Sequence, residues 1–396
     1  MQESRKTLEI SPDVNWVGIK DWDREMFDRL ISLPEGTTYN SYLILGEEKN
    51  TLIDTVNPGF ESTLEKKIRQ VIDLDEIDYI IMNHAEPDHA NAIPHLLSQI
   101  KDCELLTSKK GKSMVQSLYQ VPESKIRTVR NQETIDLGDK TLRFMRAQFV
   151  HWPETMMSFY EEEKILFPCD LFGCHLASEK FYDEEFGDEL IDYAKAYYGE
   201  IMMPFSKMVR QALSKIENLE IGMIAPSHGP IYKNPETILE PYKKWSNGEV
   251  EKKVLIPYVS MWGSTEKMVE TLAETIASEG VEVVTLDTAT SNLEELARQI
   301  VDSSGIIIGT PTVLGGTHPR IQHIAYLTKK LNPPTKYLGI VESHGWSGGA
   351  VSQISEMLGK MDAEVVETID VLGSPDEDNL EDIVEFGKEF ANRIKK

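Results

Sequence analysis

Tyr79-Ile80-Ile81-Met82-Asn83-His84-Ala85-Glu86-Pro87-Asp88-His89 decides how the first half of this chain is read. The apolar run Tyr79–Met82 reads as a strand, and its end leads directly into imidazole and carboxylate packed within six positions. Three further apolar stretches end the same way. His151 follows Gln148-Phe149-Val150, Asp170 closes Phe167-Pro168-Cys169-Asp170, and His228 stands in Pro226-Ser227-His228-Gly229. Histidine and acidic side chains converging from separate strand-end loops are a common way to build a two-metal site. His84, Glu86, Asp88, His89, His151, Asp170 and His228 are therefore the candidate ligands. His95, His175, His318, His323 and His344 stand singly and read as surface or capping residues. Cys169, beside Asp170, reads as a small buried residue.

Around this cluster the first half looks like a mixed α/β domain. Tyr39–Leu45, Thr51–Asp54, Leu142–Met145 and Lys164–Pro168 read as further strands, and Glu61–Asp73, Ile93–Gln99, Lys109–Tyr119 and Ile201–Ile216 as helices. The character changes at the polar stretch Trp245–Lys253, which contains Asn-Gly and reads as a domain boundary. Residues 1–250 and 251–396 are thus expected to form separate domains.

Beyond it the pattern is regular. The β-rich runs Val254–Val259, Val281–Leu286, Gly305–Gly309, Tyr337–Glu342 and Val365–Val371 alternate with helical patterns that begin near Thr265, Ser291, Pro319, Ser347 and Pro375. Such alternation predicts a doubly wound five-stranded parallel sheet with helices on both faces. Gly305–Gly309 is apolar throughout between its glycines, as a strand buried on both faces requires.

Length and charge bound the function. A chain of 396 residues has room for two or three domains. With 41 Lys and Arg against 66 Asp and Glu, the net charge is −25, a poor match for nucleic acid or an anionic membrane. No stretch reaches the ~18 apolar residues that span a bilayer. The N-terminal MQESRKTLEI has no apolar core, so no secretory signal is expected. Three cysteines, Cys103, Cys169 and Cys174, fit a reducing cytoplasm better than a disulfide framework.

Three loops of the second half share one location, the carboxyl end of a strand, where open α/β sheets bind ligands. Ser260-Met261-Trp262-Gly263-Ser264-Thr265 offers hydroxyls and free backbone N–H groups at a helix start, an anion site that needs no Lys or Arg. It resembles the phosphate loop of flavodoxins, which bind FMN. Pro311-Thr312-Val313-Leu314-Gly315 and Ser343-His344-Gly345-Trp346-Ser347-Gly348-Gly349 follow the third and fourth strands. Glycine lets backbone approach a flavin edge, and Trp262 or Trp346 can cover a ring face. The second loop lacks the aromatic residue of many flavodoxins. No G-x-G-x-x-G follows a strand, so a nicotinamide domain is not indicated.

The order H-x-E-x-D-H, His, Asp, His resembles the metallo-β-lactamase fold, whose hydrolases usually carry His where this chain has Glu86. The Glu form, with His-Trp-Pro-Glu-Thr-Met at His151–Met156 and Pro-Ser-His-Gly at Pro226–Gly229, is similar to the flavodiiron proteins, also called type A flavoproteins, over nearly the whole chain. A mixed imidazole and carboxylate set suits iron or manganese better than zinc. The resemblance implies an α/β protein with an N-terminal metallo-β-lactamase-like αββα sandwich and a C-terminal flavodoxin-like sheet. It implies FMN and two iron ions, one held by His84, Glu86 and His151, the other by Asp88 and His228, with Asp170 bridging. In some relatives the residue matching His89 binds iron, and in others it turns away. A tyrosine is expected near the metals as a hydrogen-bond or proton donor; Tyr197 and Tyr198 are the candidates, and Tyr198 aligns better. Trp152 is expected to pack over the site.

The expected activity is reduction of dioxygen to water, of nitric oxide to nitrous oxide, or both. The alternatives are a zinc-dependent hydrolase fused to a flavodoxin, and an electron carrier with a degenerate metal site. A head-to-tail homodimer, or that dimer doubled into a tetramer, would bring the FMN of one chain to the metals of another. No paired C-x-x-C precedes Lys396, so no rubredoxin module is expected within the chain. The donor is then external, a rubredoxin or the reduced deazaflavin coenzyme F-420, and Arg320 is a candidate for the basic patch that receives it.

Overall fold

The computed structural model describes residues 6–396; residues 1–5, the start of the stretch read for a leader, lie outside it. Two compact units divide the chain. One takes the sequence up to Tyr197 with Phe205–Lys243, and the other takes Tyr198–Pro204 with Lys244–Lys396.

The first unit holds a seven-stranded and a five-stranded sheet. The seven-stranded sheet runs, in spatial order, Leu8–Ser11, Val14–Trp16, Tyr42–Leu45, Asn50–Ile53, Ile77–Ile81, Glu104–Ser108 and Ile126–Val129. The five-stranded sheet runs Thr134–Asp136, Thr141–Arg146, Met156–Tyr160, Ile165–Phe167 and Met223–Ile224. Successive residues of a strand point to opposite faces, and here both faces of the larger sheet are covered. Leu43, Leu52, Ile80 and Leu105 join Leu64, Ile68, Ile93, Leu96 and Val115 of the flanking helices in one core. Their neighbours Tyr42, Ile44, Ile53, Ile81 and Leu106 join Phe144, Met156, Tyr160, Ile165 and Phe167 of the smaller sheet in another. This layering is the expected sandwich.

Two first-half helices differ from their sequence patterns. The helix expected over Glu61–Asp73 ends at Ile68. The α-helix expected from Ile201 begins only at Ser206; Pro204, which lacks an N–H, cannot sit in the interior of an α-helix without losing a hydrogen bond of the ladder. Ahead of it lie a π-helical turn, Tyr198–Met202, and a 3₁₀ turn, Met203–Phe205.

The second unit carries the parallel sheet, in the order Glu282–Asp287, Glu251–Tyr258, Ser303–Val313, Tyr337–His344 and Glu364–Leu372. In sequence order this is 2-1-3-4-5, the flavodoxin-like winding. A short strand, Gly316–Thr317, folds back antiparallel on the third. The stretch Trp245–Lys253 comprises the end of helix Glu236–Asn247, a left-handed turn at Gly248 and the start of strand Glu251–Tyr258. No helix among the described residues is long and apolar enough to cross a membrane.

The C-terminal helix, Glu377–Lys395, seats Phe386, Phe390 and Ile394 against this sheet. Gly305 leaves the space for them: a Cβ there would collide with the Phe390 ring and press on Ile394. Gly305→Ala is expected to destabilise this unit by about 1–3 kcal/mol through overpacking. Differential scanning calorimetry should show a lowered transition; an unchanged one would mean the helix is not seated there.

Candidate metal centre and flavin cleft

Each candidate ligand sits just past a strand end, and the loops that carry them are tied down. Asp54 accepts from Asn83 N at 2.7 Å and from Asn83 Nδ2 at 3.2 Å, while Asn83 Oδ1 accepts from Ser158 Oγ at 2.8 Å. This fixes the residue before His84. Glu86 is extended, and Pro87 then opens a single helical turn that carries Asp88 and His89. Asn40 Nδ2 donates to the carbonyls of Pro226 and Gly229, 2.9 Å each, and holds the His228 loop from both sides. Ser227 N bonds the carbonyl of Cys169, joining the His228 and Asp170 loops.

The seven side chains meet in two groups. In the first, Glu86 Oε2 lies 3.1 Å from His84 Nε2 and 3.1 Å from His151 Nε2, and Asp170 Oδ2 lies 3.4 Å from each of those nitrogens. In the second, His89 Nε2 lies 2.9 Å from Asp170 Oδ1 and 3.3 Å from Asp88 Oδ1. His228 Nε2 completes it, 3.3 Å from Asp88 Oδ2 and 3.4 Å from Asp170 Oδ1. Asp170 thus gives one oxygen to each group. His89 turns its Nε2 toward Asp88 and Asp170 of the second group.

Do these residues fit metal ions? Both oxygens of Asp88 and of Asp170, and both ring nitrogens of His89, are buried without a hydrogen-bond partner. Burying such groups unpaired is costly. Nitrogen and oxygen separations near 3 Å, with the Asp88, Asp170 and His89 atoms left without hydrogen-bond partners, suit donors sharing a cation at roughly 2 Å. The residues fit two ions.

Electrostatics agree. Burial opposes charge on His84, but the hydrogen bonds its imidazole donates to Glu154 and Glu86 outweigh it and raise the imidazole to about 10. Burial likewise opposes charge on His89 and His151, yet the carboxylates raise them to about 9 and about 10. Glu86 and Asp170 are held low against burial by the same histidines. The cluster is a trap for positive charge, and metal ions would displace the protons. Cys169 is different. It groups with His89 and Asp170, but burial holds its thiol well above the ordinary range, so it offers no thiolate.

The surroundings correct two expectations and add one residue. Tyr197, not Tyr198, turns to the cluster: its ring lies 5.9 Å from His228 and 4.9 Å from His175. Tyr198 packs on Trp245 at 5.4 Å and groups with the second unit. One position along a helical segment rotates a side chain by about a quarter turn, which separates these neighbours. His175 is not a surface residue; it is buried, 5.1 Å from the His228 ring, and Thr37 Oγ1 lies 3.0 Å from its Nδ1. Burial, then His228, holds it well below the usual imidazole range and so neutral. The added residue is Glu154, whose Oε1 lies 2.7 Å from His84 Nδ1. Trp152 stands edge-on to the His84 ring at 5.0 Å.

In the second unit a cleft of about 580 Å³ opens at the carboxyl ends of the strands. Ser260, Met261, Trp262, Ser264 and Thr265 line it from the first loop, Pro311–Leu314 from the second, and Ser343–Trp346 from the third. Gly373 and Ser374, after the fifth strand, line it too and were not anticipated. Gly263, Gly315, Ser347, Gly348 and Gly349 shape the loops without lining the cleft. Gly263 takes a left-handed φ of 88° just before helix Ser264–Ser278, a conformation suited to glycine. Trp262 and Trp346 stand 90% and 88% exposed beside the cleft, free to cover a flat ligand. Buried Glu342 ties two loops together: Thr312 Oγ1 and Gly349 N donate to Oε1, and Val351 N to Oε2. Arg320 is exposed and aims its guanidinium at the Thr288 carbonyl, outside the cleft lining.

Comparison with known proteins agrees with both halves. Residues 37–229 match the ODP family beta lactamase, and residues 256–387 match Flavodoxin. The coenzyme F420H(2) oxidase of Methanocaldococcus jannaschii is 34% identical over 99% of this chain and 98% of its own. The nitric oxide reductase of Moorella thermoacetica is 33% identical over 97% of this chain and 98% of its own. The crystal structure of the flavodiiron protein from Giardia intestinalis superposes with a TM-score of 0.94 at 28% identity, covering 98% of this chain and 97% of that one.

The trapped protons give a test. His84, His89 and His151 titrate higher folded than unfolded, so their stabilisation is complete below their ordinary value of 6.5 and is lost as pH climbs through about 9 to 10. Glu86 and Asp170, held low, contribute above the ordinary carboxylate range and lose this on acidification. Urea midpoints of chelator-treated protein should therefore fall between pH 6.5 and 10. Metal-loaded protein, whose imidazoles are already deprotonated, should not share that loss.

Proposed function

The chain belongs to the flavodiiron proteins, and from that premise we propose how its own residues serve an oxidoreductase that reduces dioxygen, nitric oxide or both. Bound FMN would supply two-electron uptake and one-electron release, and two irons held by the residues below would supply the place where a diatomic gas is reduced. His84, Glu86 and His151 would hold one iron, and Asp88, His89 and His228 the other, with Asp170 between them. The observation that carries this assignment is the division of Asp170, Oδ2 to one donor group and Oδ1 to the other. Including His89 makes the two donor sets equal in type.

Other residues support the site. Thr38's carbonyl accepts from His228 Nδ1 at 2.6 Å, and Glu154 does the same for His84, so the Nε2 atoms are left to face the metals. The Tyr197 hydroxyl, kept protonated by burial and by Asp170, is the donor we assign beside the site. Ser260, Ser264 and Thr265 would receive the FMN phosphate at a helix start, with the indole of Trp262 or Trp346 against the ring system. Residues 1–250 would form the metal domain and 251–396 the flavin domain.

A zinc hydrolase is not favoured. Two carboxylates, Glu86 and Asp88, stand among the terminal donors, and a flavin has no part in hydrolysis. We place the protein in the cytoplasm, supplied by an external donor, either the reduced deazaflavin coenzyme or a rubredoxin. The M. jannaschii relative named for its oxidation of F420H(2) supports the former.

Purified protein is expected to be yellow and to carry about two iron atoms per chain. Anaerobically reduced FMN should reoxidise when dioxygen or nitric oxide is admitted, and the two consumption rates rank the substrates. Zinc without iron, or flavin that stays reduced under both gases, would refute the assignment. We also propose a head-to-tail homodimer, or its doubled tetramer, which pairs the FMN of one chain with the metals of another. Sedimentation at assay concentration should then show no active monomer.

A further inference from the structure

The two donor groups are matched in kind. Each has two imidazoles, one terminal carboxylate and one oxygen of Asp170. With equal ligands, any difference between the two positions must come from what stands behind the ligands. There the structure is uneven. Behind His84 is the carboxylate of Glu154, with Oε1 2.7 Å from Nδ1. Behind His228 is a neutral backbone carbonyl, that of Thr38, at 2.6 Å. His89 Nδ1 is buried with no partner among the described residues. The nearby Asp54 bonds Asn83 rather than a ligand.

Glu154 is held firmly. Its side chain is fully enclosed, and Oε1 also accepts from Ala85 N at 2.8 Å. Its backbone carbonyl accepts from Ser108 Oγ at 2.8 Å, and that same Oγ caps the helix Lys109–Tyr119 by accepting from Gly111 N. The carboxylate therefore cannot swing away when a metal binds, and it stays one hydrogen bond behind His84.

We propose that Glu154 is a positioning residue that makes the two metal positions unequal. The position built on His84, Glu86 and His151 binds its ion more tightly and favours the higher oxidation state. An anionic acceptor on Nδ1–H raises the basicity of the imidazole and so its donation through Nε2. The position built on Asp88, His89 and His228 lacks such backing and is the first to be emptied and the first to be reduced. This rests on the ligand assignment given above.

The test uses the full FMN-bound chain freed of metal. Isothermal titration with Co²⁺ should resolve two uptake phases, the first tighter by about 10–100-fold, the range that outer partners of this kind supply. Glu154→Gln keeps an oxygen for His84 Nδ1 and Ala85 N but removes the charge. The tighter phase should weaken toward the other by that factor, with the weaker phase unmoved. In iron-loaded protein, redox titration followed by EPR should show the lower of the two iron potentials rising in Glu154→Gln. A tenfold loss of ferric preference corresponds to 59 mV for a one-electron step. A single phase in the unaltered chain would overturn the proposal without need of the variant. So would a Glu154→Gln variant that keeps the original ratio and potentials. Two equal Co²⁺ sites would leave the functional reading standing, while fewer than two would sink both.

Discussion

Three carboxylates, Glu86, Asp88 and Asp170, are buried within one small volume, and the first unit is organised around that constraint. Like charges at such range repel strongly where water is excluded. Only concentrated positive charge makes the arrangement tolerable, whether protons on the histidines or metal ions in their place. The scaffold answers with rigidity. Asn83 is pinned by Asp54 and Ser158, and Asn40 clamps the His228 loop, so the donors cannot drift apart to relieve the repulsion. Two sheets with apolar cores on both faces of the larger one hold the strand ends from which all the donors project.

Much of this was legible in the sequence because the ligands are local. His84 to His89 lie in one stretch after one strand, and imidazole beside carboxylate at a strand end has few other uses. The parallel sheet was equally open to reading, since its strands are continuous apolar runs that alternate with helices. What could not be read is whatever depends on contacts distant in sequence. Glu154 lies 70 positions from His84, and nothing in its own neighbourhood marks it as the partner of that imidazole. His175 looks like any single loop histidine until the fold sets it against His228. The choice between Tyr197 and Tyr198 turns on a helical phase that the π-helical turn beginning at Tyr198 disturbs. Gly373 and Ser374 follow a strand whose end loop carries no signature of its own.

The flavin cleft shows the same division between loop chemistry and long-range support. The hydroxyls and glycines of the first loop announce an anion site, but the shape of the cleft depends on Glu342, a buried residue of the fourth strand to which the sequence pattern gives no role beyond the strand itself. By accepting from Thr312, Gly349 and Val351 it draws the second and third loops together. Burial pushes its carboxyl up, yet those donors outweigh burial and keep it ionised.

Glu342 and Asp170 together separate scaffold from site. Both are strand-end acids, both are buried, and both are held below the usual carboxylate range against desolvation. Glu342 has its charge satisfied by hydroxyl and backbone N–H donors, so it needs nothing further and acts as a rivet. Asp170 has no hydrogen-bond donor on either oxygen, and its charge is answered only by imidazoles that must give up their protons when a metal arrives. A buried carboxylate with its donors complete is structure, and one left without them marks the place where the fold expects a cation. Glu154 stands between these cases. One oxygen is committed to His84 and Ala85, while the other is buried and unpaired, so the residue carries uncompensated charge to a ligand it does not replace. That is why the outer partner, rather than the matched set of inner donors, is where the two metal positions diverge.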